Sequence, residues 1–320
     1  MSKIGSLLLK SAGFLLALTT AAAAQTYPTK TVRIVVPFPP GAINDTVGRL
    51  IATQLSTRLG KQFIVDNRPG AGGIIAYEAV AHAPKDGHTL LIVSSAMTIS
   101  PWLRKLPYDT VKSFAPVAII AGAPNVIGAR TDLPAKSTKE LIALAKKQKL
   151  KYASSGVGTF LHLGGELFKL SAGVDILHIP FKGAGPAMID VMGGRTDLVF
   201  ASVASTITHV RSGKLKAIGV GATQRNRLMP DVPTVSESGL PGYAAANWFG
   251  VAAPAGTPAP IIARLHKELA AIQDSPEMQK QLATIGADIM KMTSAEFAKH
   301  ISSELAKWGR VVKDAGIKPQ

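Results

Sequence analysis

A β-branched run near the start of the chain, Val32-Arg33-Ile34-Val35-Val36, is cut off by Pro37-Phe38-Pro39-Pro40-Gly41 and followed within three residues by a helical period. Proline lacks the amide that a sheet ladder needs and fixes its own φ, so a strand must end here. From Asn44 onward Val47, Leu50, Ile51, Leu55 and Leu59 share one helical face; Asn44 or Asp45 can cap its start and Gly60 can close it. The spacing predicts strand, loop and helix in that order. The helix start then aims free amides and the positive end of its dipole at the loop, an arrangement suited to an anion. Taken alone, such a junction is more often a plain turn than a binding loop.

The same unit recurs. Phe63-Ile64-Val65 precedes Asn67-Arg68-Pro69-Gly70-Ala71-Gly72-Gly73, and the strand over residues 89–93 ends in Ser94-Ser95. Further on, Tyr152-Ala153-Ser154 leads to Ser155-Gly156-Val157-Gly158-Thr159 and a helix carrying His162. Residues 176–179 lead to Pro180-Phe181-Lys182-Gly183-Ala184-Gly185-Pro186, and Leu198-Val199-Phe200 leads to Ala201-Ser202. Ser137-Thr138-Lys139-Glu140 reads as a capping box opening a helix over residues 141–148. Strand–loop–helix alternation implies parallel sheets, in which loops at the carboxyl ends of strands converge on a ligand. Extended segments around Pro124 and around residues 247–251 mark two crossings between domains. The expected fold is therefore α/β, with two doubly wound domains and a ligand cleft between them. Domain 1 takes residues 25–124 and 250–320, domain 2 is inserted as residues 125–249, and the helix-rich end of the chain is expected to pack back on the first sheet.

Residues 1–24 read as a secretory signal peptide: Lys3 and Lys10 precede an apolar run that ends in Ala21-Ala22-Ala23-Ala24. Cleavage after Ala24 leaves an exported, periplasmic chain. The net charge of +16 includes those two lysines; without them 34 basic residues face 20 acidic ones, a net +14. Export and the scatter of the charges argue against nucleic acid, since only residues 146–151 form a dense basic run, which reads as a solvated helix end. The chain has no cysteine, which excludes disulfides, thiolate catalysis and Cys-ligated zinc.

The candidate ligand loops are Pro39-Pro40-Gly41-Ala42 with Asp45, Gly70 to Gly73, Ser94-Ser95, Ser155 to Thr159, and Lys182-Gly183, with Ala201-Ser202 at a further strand end. None matches a dinucleotide or Walker phosphate pattern, and no HExxH or Gly-x-Ser-x-Gly spacing occurs. The expectation is no cofactor, no metal and no catalytic residue. What the loops share is exposed amides at helix starts, chemistry for holding a carboxylate. Micromolar binding requires about 8 kcal/mol, whereas a helix terminus supplies about 0.3–2 kcal/mol, so several loops must act together. His162, one turn into its helix, can reach a ligand or serve a structural role; His178 and His209 read as structural.

In combination these motifs resemble the Bug-type periplasmic solute-binding receptors of tripartite tricarboxylate transporters. The likeness runs from Tyr27-Pro28 to Gly316 and rests on Val36-Pro37-Phe38-Pro39-Pro40-Gly41 with Asp45, Asn67 to Gly73, Asp86-Gly87-His88-Thr89-Leu90, Ser154 to Thr159 with His162, Pro180-Phe181-Lys182-Gly183, Met229-Pro230-Asp231-Val232-Pro233-Thr234 and Trp248-Phe249-Gly250. The resemblance implies a two-domain fold of the periplasmic binding protein, or Venus flytrap, type, and a monomeric receptor that captures a small organic acid and delivers it to membrane permease subunits. It assigns ligand contacts to Pro40, Gly41, Ala42, Asp45, Ser155, Gly158, Thr159, Lys182 and Gly183. Two positions depart from the family pattern. Many relatives have a second glycine at Ala42, where a left-handed backbone would strain alanine; many have aspartate at Ala201, whose loss removes a partner for a ligand amino group. The ligand expected is thus an amine-free carboxylate, aliphatic or aromatic. Competing readings are an exported hydrolase or isomerase using Ser155 and His162, and a ligand sensor for a signalling receptor.

Overall fold

The computed structural model describes residues 27–319; the signal peptide expected over residues 1–24 lies outside the described residues. The β-branched run forms strand β1 (Val32–Val36), flanked in parallel by β2 (Phe63–Asn67) and β3 (Thr89–Ser94), with Ile34 level with Val65 and Leu90. Helices α1 (Ile43–Leu59), α2 (Ile74–Ala81) and α3 (Ala96–Leu103) follow these strands. Alternate side chains leave opposite faces of the strands. Ile34, Val36, Leu90 and Ile92 pack with Val47, Ile51 and Leu55 of α1, whereas Val35, Leu91 and Val93 pack with Tyr77, Val80 and Met97. Both faces of the sheet are covered, as a doubly wound domain requires.

The two expected crossings are made by two long strands lying side by side. Strand β4 (Phe114–Ala129) runs 16 residues without a break where the sequence suggested two short segments around Pro124. The second domain contributes β5 (Leu150–Ser154), β6 (Ile176–Pro180), β7 (Leu198–Ser202) and β8 (Lys216–Val220), with helices α4 (Thr138–Ala145), α5 (Phe160–Ala172), α6 (Ala184–Met192) and α7 (Val203–Arg211). Strand β9 (Ala246–Pro254) returns antiparallel to β4 and to β3. The pairing of β4 changes between neighbours: Pro124 faces Ala246 of β9, and Asn125 faces Ser202 of β7. Pro116 and Pro124 are tolerated there because the ladder shifts register after Pro116 and changes partner after Pro124. The strand order is β2-β1-β3-β9-β4-β7-β5-β6, with β8 and β10 (Asp288–Ile289) also pairing with β4. Leu198 and Phe200 fill one core of the second domain and Val199 and Ala201 the other.

Three differences from the sequence reading have local causes. Helix α4 starts three residues earlier than expected, at Thr138; Ser137 caps it by accepting from the Glu140 amide, but the Glu140 carboxylate takes the Lys136 amide, so the reciprocal box is incomplete. A full capping box forms instead at Thr293 and Glu296. Helix α3, unforeseen because it contains Pro101, ends only two residues after it.

The chain closes with α8 (Ala259–Gln273), α9 (Pro276–Thr284) and α10 (Ser294–Asp314). Helices α8 and α9 pack on the first sheet as expected. Helix α10 does more than that: Phe297 and Ile301 join the first domain's core, and Trp308, Val311 and Val312 join the second's. Trp308 is fully buried, meets Phe160 edge-on at 5.6 Å and donates through Nε1 to Glu304. Trp308→Ala should lower unfolding stability by about 3–5 kcal/mol, read as a reduced midpoint in a urea titration.

Candidate functional site

A cavity of about 460 Å³ opens where the two domains meet across β4 and β9. Of the residues in the expected ligand loops, Gly72, Ser94, Ser95, Ser155, Val157, Gly158, Thr159 and Ser202 line it. Four helix starts converge there: Ile43 and Asn44 at α1, Ser95 and Ala96 at α3, Thr159, Phe160 and Leu161 at α5, and Ser202 at α7. First-turn amides have no acceptor within their own helix. Two of these N-terminal residues cap by hydroxyl: Thr159 accepts from the His162 amide at 3.2 Å and Ser202 from the Ser205 amide at 3.2 Å, whereas the Ser95 hydroxyl donates to Asn247 and caps nothing.

The first loop works differently from the sequence expectation. Helix α1 begins at Ile43, so Ala42, and neither Asn44 nor Asp45, is the N-cap. The Asp45 carboxylate reaches back to accept from the Gly41 amide at 2.9 Å and from Arg49 Nε at 3.0 Å, while its other oxygen accepts from Asn67 at 2.9 Å. Burial opposes its charge, but the bonds from Arg49, the Gly41 amide and Asn67 outweigh it and hold the carboxyl below the ordinary range. Asp45 is thereby consumed in shaping the loop, and it also occupies the Gly41 amide. Pro39, Pro40 and Gly41 are exposed at the loop's outer edge. The strain anticipated at Ala42 does not arise: Ala42 has φ −68°, and the positive φ falls on Gly41 at 84°.

In the second domain the Ser155 hydroxyl donates to Thr159 Oγ1 at 3.2 Å, and His162 Nδ1 accepts from the Gly158 amide at 3.1 Å. His162 is buried behind the loop, stacked on His178 with ring centres 4.0 Å apart, and does not line the cavity. The Ser155–His162 pair that a hydrolase would need is not assembled, because each side chain is committed to its own loop. Lys182 is exposed; Gly183 donates its amide to the Ser155 carbonyl at 3.3 Å and so stands behind the lining residues. Ala201 is fully buried on the core face of β7, turned away from the cavity by strand alternation.

Several lining residues escaped sequence reasoning. Phe38, Ile43, Ile99, Leu103, Phe160 and Leu161 give the cavity an apolar wall, and Asn44, Asn125, Asn247 and Arg104 add polarity. Asn44 is 7% exposed and its Nδ2 has no hydrogen-bond partner among the described residues. A polar residue at the first turn of an amphipathic helix, level with Gly41, was the available signal for Asn44. Nothing local marked Arg104 or Asn247. Among the described residues no Asp, Glu, Lys or His lines the cavity. Among the described residues no group of three His, Cys, Asp or Glu side chains could hold a metal ion, and no helix is long and apolar enough to cross a membrane.

A sequence model described as the tripartite tricarboxylate transporter family receptor matches residues 47–317. The chain belongs to this receptor family. Protein BugT of Bordetella pertussis (strain Tohama I) is 34% identical over 300 residues, covering 92% of each chain. Among solved structures, R. palustris Rpa4515 with adipate is 36% identical with a TM-score of 0.76, covering 92% of this chain and all of that one. MatC (Rpa3494) from Rhodopseudomonas palustris with bound malate is 33% identical with a TM-score of 0.71, covering 89% of this chain and all of that one.

In this receptor the loop that carries Ser155, Gly158 and Thr159 rests on the histidine stack. Tyr152 donates to Glu166 at 2.6 Å below the stack, and Ser154 Oγ bonds His178 Nε2 at 2.7 Å beside it. Burial, with a smaller effect from Lys169, lowers the His162 pKa to about 4; burial, with His162 next, lowers that of His178 to about 4. Above pH of about 6.5 both imidazoles are neutral folded or unfolded. As pH falls from there toward about 4, the unfolded chain binds protons that the folded chain refuses, so stability must fall. Urea titrations should therefore give a lower midpoint at pH 5 than at pH 7, and the His162→Gln/His178→Gln double variant should show a flatter dependence.

Proposed function

We propose that this chain is an exported receptor that closes its two domains on a small, amine-free organic carboxylate and delivers it to the membrane subunits of a tripartite transporter. The observation that carries the reading is the composition of the cavity: four helix starts and several hydroxyl and amide groups, with no carboxylate among the lining side chains. Oriented amides and helix dipoles favour an anion. A ligand ammonium would find no counter-charge there and would lose its hydration for nothing in return. The apolar wall of Phe38, Ile43, Ile99 and Leu103 suits a hydrocarbon body between polar ends. The adipate and malate held by the two Rhodopseudomonas relatives support a carboxylate as ligand.

In this reading Ser94, Ser95, Ser155, Thr159 and Ser202 contact the ligand with Asn44, Gly158 shapes the loop beside them, and Asp45, His162 and Gly183 hold the loops in place. Residues 25–124 with 250–320 and residues 125–249 move as the two domains, and the partner change in β4 at residues 124–125 supports that division. The receptor acts as a monomer in the periplasm after loss of residues 1–24, and it performs no chemistry on its ligand; the separation of Ser155 from His162 favours this over a hydrolase.

Calorimetry with adipate and with glutamate tests the reading. Adipate should bind saturably and be recovered unchanged after prolonged incubation, glutamate should bind at least tenfold more weakly, and Asn44→Asp should weaken adipate at least tenfold by setting like charge against it. Glutamate binding as tight as adipate, or full affinity in Asn44→Asp, would overturn it.

A further inference from the structure

A second cavity, of about 290 Å³, lies behind the crossing strands. Along β9 Asn247 faces the front cavity while Ala246 and Trp248 line the rear one, as the two-residue period of a strand demands. The rear walls come from both domains: β4 and residues 288–290 on one side, residues 222–227 on the other, and α10 across the end.

Two buried polar atoms in this wall have no hydrogen-bond partner among the described residues. Trp248 is 1% exposed, and its Nε1–H makes no hydrogen bond; His300 Nε2 is likewise shut off from solvent and unpaired. The two rings meet edge to face with centres 5.4 Å apart. The other two tryptophans are satisfied, Trp102 by the Leu305 carbonyl and Trp308 by Glu304, each at 2.9 Å. Buried donors in native proteins are normally paired, so an orphan on a cavity wall points to a group that enters the cavity.

The wall also fixes the chemistry. Trp248 can only donate; burial, against the opposing pull of Glu304, holds the His300 imidazole below the ordinary histidine range, and its Nε2–H tautomer would donate beside Trp248. Arg225, Arg227 and Lys307 also line it, each paired with a carboxylate, Glu237, Asp288 and Glu304 respectively. Pro124, Ile289 and Met290 supply an apolar floor. We propose that the rear cavity is a second ligand site, taking a small aliphatic monocarboxylate that accepts hydrogen bonds from Trp248 Nε1 and His300 Nε2 and lays its chain on that floor. A second carboxylate on the same ligand would meet the apolar floor or cations already paired with Glu237, Asp288 and Glu304, which selects against dicarboxylates. Because both domains build the site, its occupant favours one closure angle and changes the affinity of the front cleft, and by linkage the front ligand changes affinity at the rear.

The test is a butyrate titration of the ¹⁵N-labelled chain, following the three indole N–H resonances, with Trp248 assigned through Trp248→Phe. The Trp248 signal should move saturably, and more than those of Trp102 and Trp308. The same movement should persist in Ser155→Phe, whose front cleft is filled, and vanish in Ala246→Leu, whose rear cavity is filled. His300→Phe, which keeps the ring and loses the nitrogen, should weaken butyrate at least threefold and serves if Ala246→Leu fails to fold. No saturable movement, movement lost in Ser155→Phe but kept in Ala246→Leu, or unchanged butyrate affinity in His300→Phe would overturn the proposal.

Discussion

The antiparallel ladder between β4 and β9 is the constraint on which the rest of the molecule depends. Two extended strands that hydrogen-bond to each other cannot shear independently, but they can twist and bend together about their length. With a domain gripping each end, rotation between the domains has to be absorbed near the place where β4 exchanges β9 for β7, at Pro124 and Asn125. That place forms the floor of the front cavity and a wall of the rear one. Any molecule held on either side of the ladder therefore feels, and resists, the same motion.

The front cavity gains its character from groups fixed before a ligand arrives. Asp45 is the clearest case: a buried carboxylate that could have faced the ligand is turned onto the loop's own amide, on Arg49 and on Asn67. The negative charge is neutralised locally, and the loop is held rigid enough to present the α1 helix start. The Gly158 amide, tied to His162, plays the same part on the opposite wall. In both loops an amide that sequence reasoning would assign to the ligand is spent on geometry.

Much of this was legible in the sequence because it is written in local chemistry. Three prolines within four residues after Val36 leave a strand too few amides to continue, and the period of Val47, Ile51 and Leu55 has one physical meaning. The strand–loop–helix repetition located most of the loops correctly, including Ser94-Ser95 and Ser155 to Thr159. What the residues could not reveal depends on distant partners. Ala201 reads as a strand-end contact until the register of β7 against β4 turns it into the core. Arg104 and Asn247 reach the cavity from segments with no local signature. Helix α3 was hidden by Pro101, because a proline near a helix end is tolerated where tertiary packing holds the preceding turns.

Helix α10 has a consequence for how such a chain reaches its final form. Phe297 and Ile301 complete one core and Trp308, Val311 and Val312 complete the other. Neither domain can be sealed while the last helix is still to come, although nearly all their strands lie upstream of it. A chain threaded through a membrane from its N-terminus would thus emerge as two unfinished halves, each showing apolar surface, and both would be closed in one late step by the same 21-residue helix.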